Sequence, residues 1–277
     1  MRIGVFDSGF GGLTVLRALL EHVPEADYVY LGDTARLPYG AKSRETVARY
    51  AVSSARFLVA EDAEFLVIAC NTASALALDA IRESVAVPVL GVVETGASAA
   101  DASSKTRDVL VIATAATVES HAYAAACEER GMRAIEKACP LLVPLVEEGW
   151  IDHRVTAEVL RIYMDELMEE ARRKALNPDT LVLGCTHYPL LRRHIEEAVP
   201  ETVRVIDSAE VTARAVAKRL GLSGREVSAK TRFFATDSVS KFRSLGSRFL
   251  GQEIAEVKLV DLEKQPVAGS RELGAGR

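Results

Sequence analysis

Two cysteines in this chain stand at equivalent points of two similar segments. Cys70 lies in FLVIACNTASA and Cys185 in LVLGCTHYPLL, so in both an apolar run ends in a thiol and a helix start follows. Backbone N–H groups at a helix start favour the thiolate form of a cysteine. Core packing gives no reason to repeat this arrangement, so the sequence predicts that both thiols face one cleft.

Two opposed thiols suit one kind of reaction. Removing a hydrogen from a carbon and replacing it on the opposite face requires a base on one side and an acid on the other. The thiol pKa of about 8.5 can be lowered towards neutrality by neighbouring groups, and proton transfer is most efficient when the pKa lies near the working pH. The pair Cys70 and Cys185 therefore predicts a two-base isomerisation.

A buried cysteine acting as a small hydrophobe is the commoner alternative for any one of these residues. Cys127 lies in the small-residue segment AYAAACEERG, and Cys139 directly precedes Pro140. Neither follows the strand-and-turn pattern of the other two. We predict that Cys127 and Cys139 are packing residues, which makes them internal controls.

Polar residues also follow the first apolar run, in IGVFDSGFGG. Asp7 and Ser8 end the run, and the glycines after them can bring backbone N–H groups close to an anion. The spacing is not a full dinucleotide-binding fingerprint. Asp7 either serves the cleft or caps a helix that begins near Gly12.

The remaining candidates are weaker when taken one at a time. His187 lies two residues after Cys185 and either tunes that thiol or forms a loop hydrogen bond, and Glu147 either approaches the same thiol or is an ordinary helix glutamate. The segment YLGDTARLPYG predicts a lid or substrate-contacting loop that carries Tyr39 and Gly40. Thr114 and Thr117 offer hydroxyls after another apolar run, although Thr117 is equally suited to be a helix N-cap.

Alternating short apolar runs and longer helical segments must position these residues. The predicted buried strands are Ile3–Phe6, Tyr28–Leu31, Phe65–Ala69, Val87–Val92, Val109–Ala113, Leu181–Gly184 and Arg204–Ile206. The predicted helices are Arg44–Ala60, Thr72–Ser84, Val118–Glu129, Thr156–Ala175 and Ala209–Leu220. This order predicts an α/β fold with mostly parallel sheets flanked by helices. Ligands bind beyond the carboxyl ends of such strands, where the polar turns fall.

Composition excludes several classes of function. The 277 residues carry a formal net charge of −5 and are 49% hydrophobic and 26% charged, which is typical of a globular protein and not of a nucleic-acid binder. No stretch has the roughly 18–20 apolar residues of a membrane span, and the first residues lack the features of a signal peptide. We therefore expect a cytoplasmic protein with reduced thiols. The cysteines form no Cys-x-x-Cys pair, so no metal site is expected.

The two cysteine segments lie far apart in the chain, and IGVFDSG resembles VLVIATAATVES in the same way. The similar segments predict two domains that each supply one cysteine loop to a shared cleft. The similarity itself arose either by internal duplication or by chance. The polar, aperiodic tail 265–277 is expected to be mobile.

Five motifs in order, GVFDSGFGGLTVL, YLGDTARLPYG, ACNTASA, ATAATVES and LGCTHYPLL, resemble those of the glutamate racemases of bacterial cell-wall synthesis. The resemblance implies two pseudo-symmetric α/β domains, residues 1–97 plus 207–264 and residues 98–206, with the active site between them. It also implies racemisation of glutamate without a cofactor and a homodimer. One departure is the pair Ala115-Ala116, where some relatives carry a larger or more polar residue.

The resemblance further assigns roles to individual residues. Cys70 would take the α-proton from D-glutamate and Cys185 from L-glutamate, with Asp7 assisting the first, and Glu147 and His187 the second. The implied substrate contacts are Asp7, Ser8, Tyr39, Gly40, Asn71, Thr72, Thr114, Thr117, Thr186 and His187.

Three other interpretations remain open at this point. A Cys-His hydrolase would use Cys185 and His187, although residues two apart on a loop seldom reach the required geometry. A two-domain binding protein for a small molecule would have no need of mirrored thiols. An aspartate racemase or another two-cysteine isomerase is the nearest alternative.

Overall fold

Parallel strands form the framework of the computed structural model, which describes residues 1–222 and 229–263. The strands are β1 (Arg2–Asp7), β2 (Asp27–Gly32), β3 (Phe65–Ile68), β4 (Val89–Gly91), β5 (Asp108–Ala113), β6 (Arg133–Ala138), β7 (Thr180–Gly184), β8 (Arg204–Asp207), β9 (Thr231–Ala235) and β10 (Lys258–Leu259). Most are buried on both faces, which explains their continuous runs of Val, Ile and Leu.

Helices connect the strands and cover the sheets. The α-helices are α1 (Leu13–His22), α2 (Arg44–Ala60), α3 (Asn71–Ser84), α4 (Val92–Ser103), α5 (Ala115–Glu119), α6 (Ala122–Glu128), α7 (Leu142–Glu147), α8 (Arg154–Arg173), α9 (Arg192–Ala198), α10 (Ser208–Leu220) and α11 (Val239–Leu250). Short 3-10 turns cover Thr34–Arg36, Tyr39–Ala41 and Tyr188–Leu191. In the described residues no helix is both long and apolar enough to span a membrane.

The described strands form two sheets, and every pairing within them is parallel. The first sheet has the order β10-β9-β2-β1-β3-β4, and the second has the order β6-β5-β7-β8. The predicted α/β class is therefore confirmed. Because β9 and β10 belong to the first sheet, the chain returns to that sheet after completing the second.

Helix α10 follows the second sheet but packs against α1, which belongs to the first, and against α4. The hydroxyls of Thr95 on α4 and Thr212 on α10 lie 2.6 Å apart, and both residues are buried. On the other side, α3 contacts α5. These helices hold the two sheets with the carboxyl ends of β1, β3, β5 and β7 around one cavity.

Two predicted elements are wrong in extent. The single helix Val118–Glu129 is instead α5 and α6, because His121 adopts a left-handed backbone conformation (φ 54°) that ends the first and begins the second. The strand Val87–Val92 is only Val89–Gly91, and Val92 already begins α4.

Strands β6, β9 and β10 were missed by the sequence analysis. Their sequences mix apolar and charged residues, as in RAIEKA, since β6 and β10 are edge strands with partly exposed side chains. The tail 265–277 lies outside the described residues, as do residues 223–228 and 264 of the predicted first domain.

Candidate active site

The cavity between the two sheets has a volume of about 290 Å³. Both predicted thiols line it: Cys70 follows β3 of the first sheet and Cys185 follows β7 of the second. The other predicted site residues in the lining are Ser8, Tyr39, Gly40, Asn71, Thr72, Thr114, Glu147, Thr186 and His187. Asp7 and Thr117 lie directly behind this lining and are 1% and 0% exposed.

One wall of the cavity is apolar and was not foreseen from the sequence. It consists of Leu37, Pro38, Pro140, Val143 and Pro144, together with Ala41 and Ala115. Among the described residues that line the cavity, none is a lysine or an arginine. An anionic ligand would therefore be held by neutral donors and by the His187 ring, the one described lining side chain whose pKa is raised towards a cationic form.

Cys70 is the N-cap residue of α3, and its sulfur accepts the N–H of Ala73 at 3.5 Å. Its thiol donates to the Ser8 hydroxyl at 3.4 Å. The helix start was expected to favour the thiolate. Burial outweighs it and, together with the negative charge of Asp7, raises the pKa of Cys70 to about 12.

Asp7 supports the loop beneath Cys70. Its Oδ2 accepts the N–H of Gly9 at 2.9 Å, while its buried Oδ1 has no hydrogen-bond partner. Burial raises the pKa of this carboxyl, although backbone donors and His187 oppose the shift. No side chain caps α1, whose N-cap residue is Gly12, but the Gly12 N–H is among the donors that lower the pKa of Asp7, so the carboxyl also lies at this helix start.

Cys185 faces a chain of charged groups instead. The Nδ1 of His187 lies 3.8 Å from the Cys185 sulfur, and its Nε2 lies 3.3 Å from Oε1 of Glu147. Lys241, from α11 of the first-sheet side, approaches Oε2 of Glu147 at 3.5 Å. The His187 ring also packs edge-on against the Phe249 ring, with the two ring centroids 5.1 Å apart.

The electrostatics of this chain favour an imidazolium. Burial by itself lowers the pKa of His187, but the hydrogen bonds and charges of Cys185 and Glu147 outweigh burial and raise it to about 10. Burial alone would raise the pKa of Glu147, but the hydrogen bonds and charges of His187 and Lys241 outweigh burial and lower this pKa. The sequence expectation that residues two apart would not reach each other is wrong, since the loop after β7 brings His187 back over Cys185.

Hydroxyls from both sheets meet beside Cys70. Thr72 Oγ1 lies 3.0 Å from Thr114 Oγ1 and 3.2 Å from Thr117 Oγ1, and the latter two are 2.9 Å apart. We call these three the threonine triangle. Thr114 is the N-cap of α5 and accepts the N–H of Thr117, so the expectation that Thr117 is the cap is wrong.

The loop after β2 closes the cavity from the first-sheet side. The Tyr39 hydroxyl donates a short hydrogen bond to Asp33, which is fully buried and also binds Arg36 and Thr236. Gly40 lies so close to Thr114 that a side chain at this position would collide with it. Sequence reasoning quoted this loop but missed Asp33, whose place directly after a strand was the available signal.

The glycine turn after β1 reaches across to the second cysteine loop. A Cβ on Gly11 would collide with Thr186 Oγ1 and with the His187 ring. The hydroxyl of Thr14 donates to the Thr186 carbonyl at 3.1 Å, which ties the two segments together. Lys241 and Phe249 lie outside every motif of the sequence analysis, so no local pattern could reveal that they approach this site.

No cluster of His, Cys, Asp and Glu in the described part of the chain has the geometry of a metal site. Cys127 and Cys139 are both 0% exposed and absent from the cavity lining, as expected of packing residues.

Residues 3–216 match the sequence profile of the Asp/Glu/Hydantoin racemase family. The chain belongs to this family. A glutamate racemase from Koribacter versatilis is 54% identical, over 94% of this chain and 97% of that protein. The resemblance drawn from the motifs is thereby confirmed.

Solved structures of the family show the same fold. The crystal structure of a glutamate racemase isoform from Bacillus anthracis superposes with a TM-score of 0.85 at 37% identity, covering 94% of this chain and 97% of that one. A glutamate racemase from Francisella tularensis, solved in complex with D-glutamate, gives a TM-score of 0.84 at 35% identity and covers 95% and 98% of the two chains.

Proposed function

We propose that this protein interconverts L-glutamate and D-glutamate without a cofactor, using Cys70 and Cys185 as bases on opposite faces of the α-carbon. The observation that carries the proposal is that each sheet delivers one cysteine to the same cavity. Glutamate as the substrate is supported by the racemases that this chain resembles over nearly its whole length.

In the proposed reaction one thiolate takes the α-hydrogen, so that an S–H bond forms as the C–H bond breaks. The other cysteine, as a thiol, then donates its hydrogen to the opposite face of the carbanion. By resemblance Cys70 acts on D-glutamate and Cys185 on L-glutamate. Each turnover exchanges the protonation states of the two sulfurs, which is why both directions need both residues.

The neighbouring groups adjust these transfers. We assign Asp7 to assist Cys70, because its carboxyl is buried beside that thiol with one oxygen unpartnered. We assign His187 and Glu147 to Cys185, because the imidazole contacts both the sulfur and the carboxylate. Proton transfer by positioned groups contributes about 10²- to 10⁴-fold in rate.

Neutral donors and the His187 imidazolium would bind the two carboxylates and stabilise the carbanion. The proposed contacts are Asp7, Ser8, Tyr39, Gly40, Asn71, Thr72, Thr114, Thr117, Thr186 and His187. Fixed hydrogen-bond donors in a dry cavity stabilise developing charge without having to reorganise during the reaction.

The wider setting follows by inference. We propose a cytoplasmic homodimer that supplies D-glutamate for peptidoglycan synthesis, with domains of residues 1–97 plus 207–264 and residues 98–206. The membership of β9 and β10 in the first sheet supports this division. Sedimentation equilibrium would test the dimer, since a monomer at micromolar concentration would contradict it.

A second candidate function is a Cys-His hydrolase, because Cys185, His187 and Glu147 are arranged as a nucleophile, a base and an orienting carboxylate. The position of Cys70 in the same cavity favours the racemase, since a hydrolase with Cys185 as its nucleophile does not need a second cysteine. Mass spectrometry after mixing with thioester or amide substrates would detect an acyl-enzyme if the second candidate is correct.

The test of the proposed function follows each enantiomer of glutamate by circular dichroism in deuterated water, without added cofactor. We expect the signal to decay to zero from both sides, with deuterium entering at Cα. The same assay with aspartate distinguishes the nearest alternative substrate.

Two variants complete the test. Cys70→Ser/Cys185→Ser should abolish the reaction, whereas Cys127→Ser should keep it within about twofold of wild type. Racemisation by the double variant would disprove the two-base mechanism.

A further inference from the structure

Tyr123 is a fully buried residue on α6 that does not line the cavity but contacts Asn71, which does. Its hydroxyl donates a hydrogen bond of 2.7 Å to Oδ1 of Asn71. Asn71 begins α3, on the first-sheet side, whereas α6 belongs to the second. The bond therefore joins the two halves of the site behind the lining.

The other end of the Asn71 amide has no partner. Its Nδ2 is buried without a hydrogen bond, although the residue lines the cavity and is only 3% exposed. Leaving a buried donor unpaired destabilises the folded protein, so such atoms are rare unless they serve a ligand. The donor is held ready for an acceptor, such as a carboxylate oxygen.

An asparagine amide has two ends of almost the same shape but of opposite hydrogen-bonding character. Rotated by half a turn, Asn71 would place its oxygen towards the cavity and repel a carboxylate. The Tyr123 hydroxyl opposes this rotation, because a phenol is a stronger hydrogen-bond donor than acceptor and therefore pairs better with Oδ1 than with the amide N–H. Burial raises the pKa of Tyr123 above its usual range, so the phenol keeps its hydrogen at all working pH values.

The tyrosine ring is itself fixed. Cβ atoms built on Gly96 of α4 and on Gly184 of β7 would stand 3.1 Å and 3.0 Å from its edges, so both glycines leave room only for the ring. Its hydroxyl consequently has a defined position.

We propose that Tyr123 is a positioning residue that holds the Asn71 amide with its N–H groups towards a carboxylate of the bound substrate. This inference rests on the proposed function for the identity of that substrate. Tyr123 touches no reacting atom. It acts on substrate binding, so its loss should appear in KM far more than in kcat.

The first test is Tyr123→Phe, which removes only the hydroxyl. We expect the KM for glutamate to rise about 5- to 10-fold, equivalent to one ordinary hydrogen bond, with kcat within about threefold. The matched control is Tyr28→Phe. The Tyr28 hydroxyl is also buried, but it donates to the carbonyls of Leu19 and Val23, outside the cavity lining. Both variants should lose some thermal stability, and only Tyr123→Phe should change KM.

A double-mutant cycle asks whether Tyr123 acts through Asn71. In the Asn71→Ala background, adding Tyr123→Phe should raise KM by less than about twofold, because the amide to be oriented is absent. An equal rise in KM in both backgrounds would overturn the proposal, as would an unchanged KM in Tyr123→Phe itself.

The orientation has its own test in Asn71→Asp, which keeps the shape of the side chain. Tyr123 would donate to one carboxylate oxygen and leave the other facing the cavity. KM should then exceed that of Asn71→Ala, whereas an equal or lower KM would contradict the assigned orientation.

Binding without turnover separates this inference from the proposed function. The rise in Tm produced by D-glutamate should be smaller in Tyr123→Phe than in wild type or Tyr28→Phe. If wild type binds glutamate but does not racemise it, the proposed function fails and these shifts still decide the role of Tyr123. If wild type racemises glutamate and the three Tm shifts are equal, the positioning role alone is overturned.

Discussion

Cys70 and Cys185 end strands of the same design, yet their surroundings carry opposite charge. Cys70 lies beside the buried carboxyl of Asp7, and its thiol is paired only with a hydroxyl and a backbone N–H. Cys185 lies beside the imidazole of His187, which contacts the Glu147 carboxylate. Lys241 in turn contacts Glu147. One motif thus places two sulfurs in one cavity, and the side chains behind them give each a different charge.

The difference implies a division of work. Burial and Asp7 hold the pKa of Cys70 at about 12, so this residue is suited to be the protonated partner before substrate arrives. His187, whose pKa is about 10, presents a cation to Cys185 over the physiological range. We expect the positive α-amino group of the substrate to supply the missing cation on the Cys70 side.

The largest expected effect comes from removing either thiol alone. Cys70→Ser and Cys185→Ser should each lower racemisation by about 10³-fold or more, since one face of the carbon loses its proton-transfer group. Each variant should still exchange the α-hydrogen of one enantiomer with deuterated water. Proton NMR should show exchange of L-glutamate in Cys70→Ser and of D-glutamate in Cys185→Ser.

The reverse pattern would show that the stereochemical assignment is inverted. Exchange of both enantiomers by either variant would contradict a separate role for each cysteine. Cys139→Ser, at a buried position outside the cavity lining, serves as the control.

The next effect concerns Asp7. Asp7→Asn keeps the acceptor for the Gly9 N–H but removes the negative charge, so the pKa of Cys70 should fall. Racemisation should nevertheless drop by about 10²-fold, because an amide cannot carry a proton. Alkylation of Cys70 by iodoacetamide at pH 8, followed by peptide mass spectrometry, should become faster as the activity falls. A parallel fall in alkylation and activity would contradict this role.

Glu147 should govern the pH dependence on the other side. It helps to raise the pKa of His187, and the imidazolium is lost as the pH rises through that value. Glu147→Gln should therefore move the alkaline fall of kcat/KM to lower pH by about one unit. An unchanged alkaline limb would show that a group other than His187 controls it.

The smallest effect is expected at Lys241. Its side chain is 54% exposed and lies 3.5 Å from Glu147, so solvent screens most of its charge. Lys241→Met should shift the alkaline limb slightly upwards, by less than about half a pH unit, because Glu147 would then act on His187 alone. A downward shift would contradict the inference that Lys241 weakens the effect of Glu147 on the pKa of His187. The activity near pH 8 should remain within about twofold.

The elements that place the thiols could be predicted because their strands are buried on both faces. Phe65–Ile68 and Thr180–Gly184 leave continuous apolar runs in the sequence, and the polar turns after them mark the carboxyl ends of the sheets. The edge strand Arg133–Ala138 leaves no such run. The break at His121 could not be foreseen, since helical propensity says little about a single left-handed residue.

The site was predictable where function is carried by a strand end and its motif. The residues in question all lie within three positions of a strand end: Cys70, Asn71, Thr114 and Thr186. Asp33 was missed although it directly follows β2. Tyr123 and Lys241 were missed because their partners are 52 and 94 residues away. Such contacts depend on how α6 and α11 pack, which no local pattern in the sequence records.

The threonine triangle has a consequence for handedness. Three hydroxyls that bond to one another can order their hydrogens in either direction around the ring. Those of Thr72 and Thr114, which line the cavity, can also turn towards it without moving a carbon atom. A racemase must hold two mirror-image molecules in one cavity. Donors that reorient by rotating a single hydrogen can meet the carboxylate of either enantiomer, so the same rigid walls serve substrate and product alike.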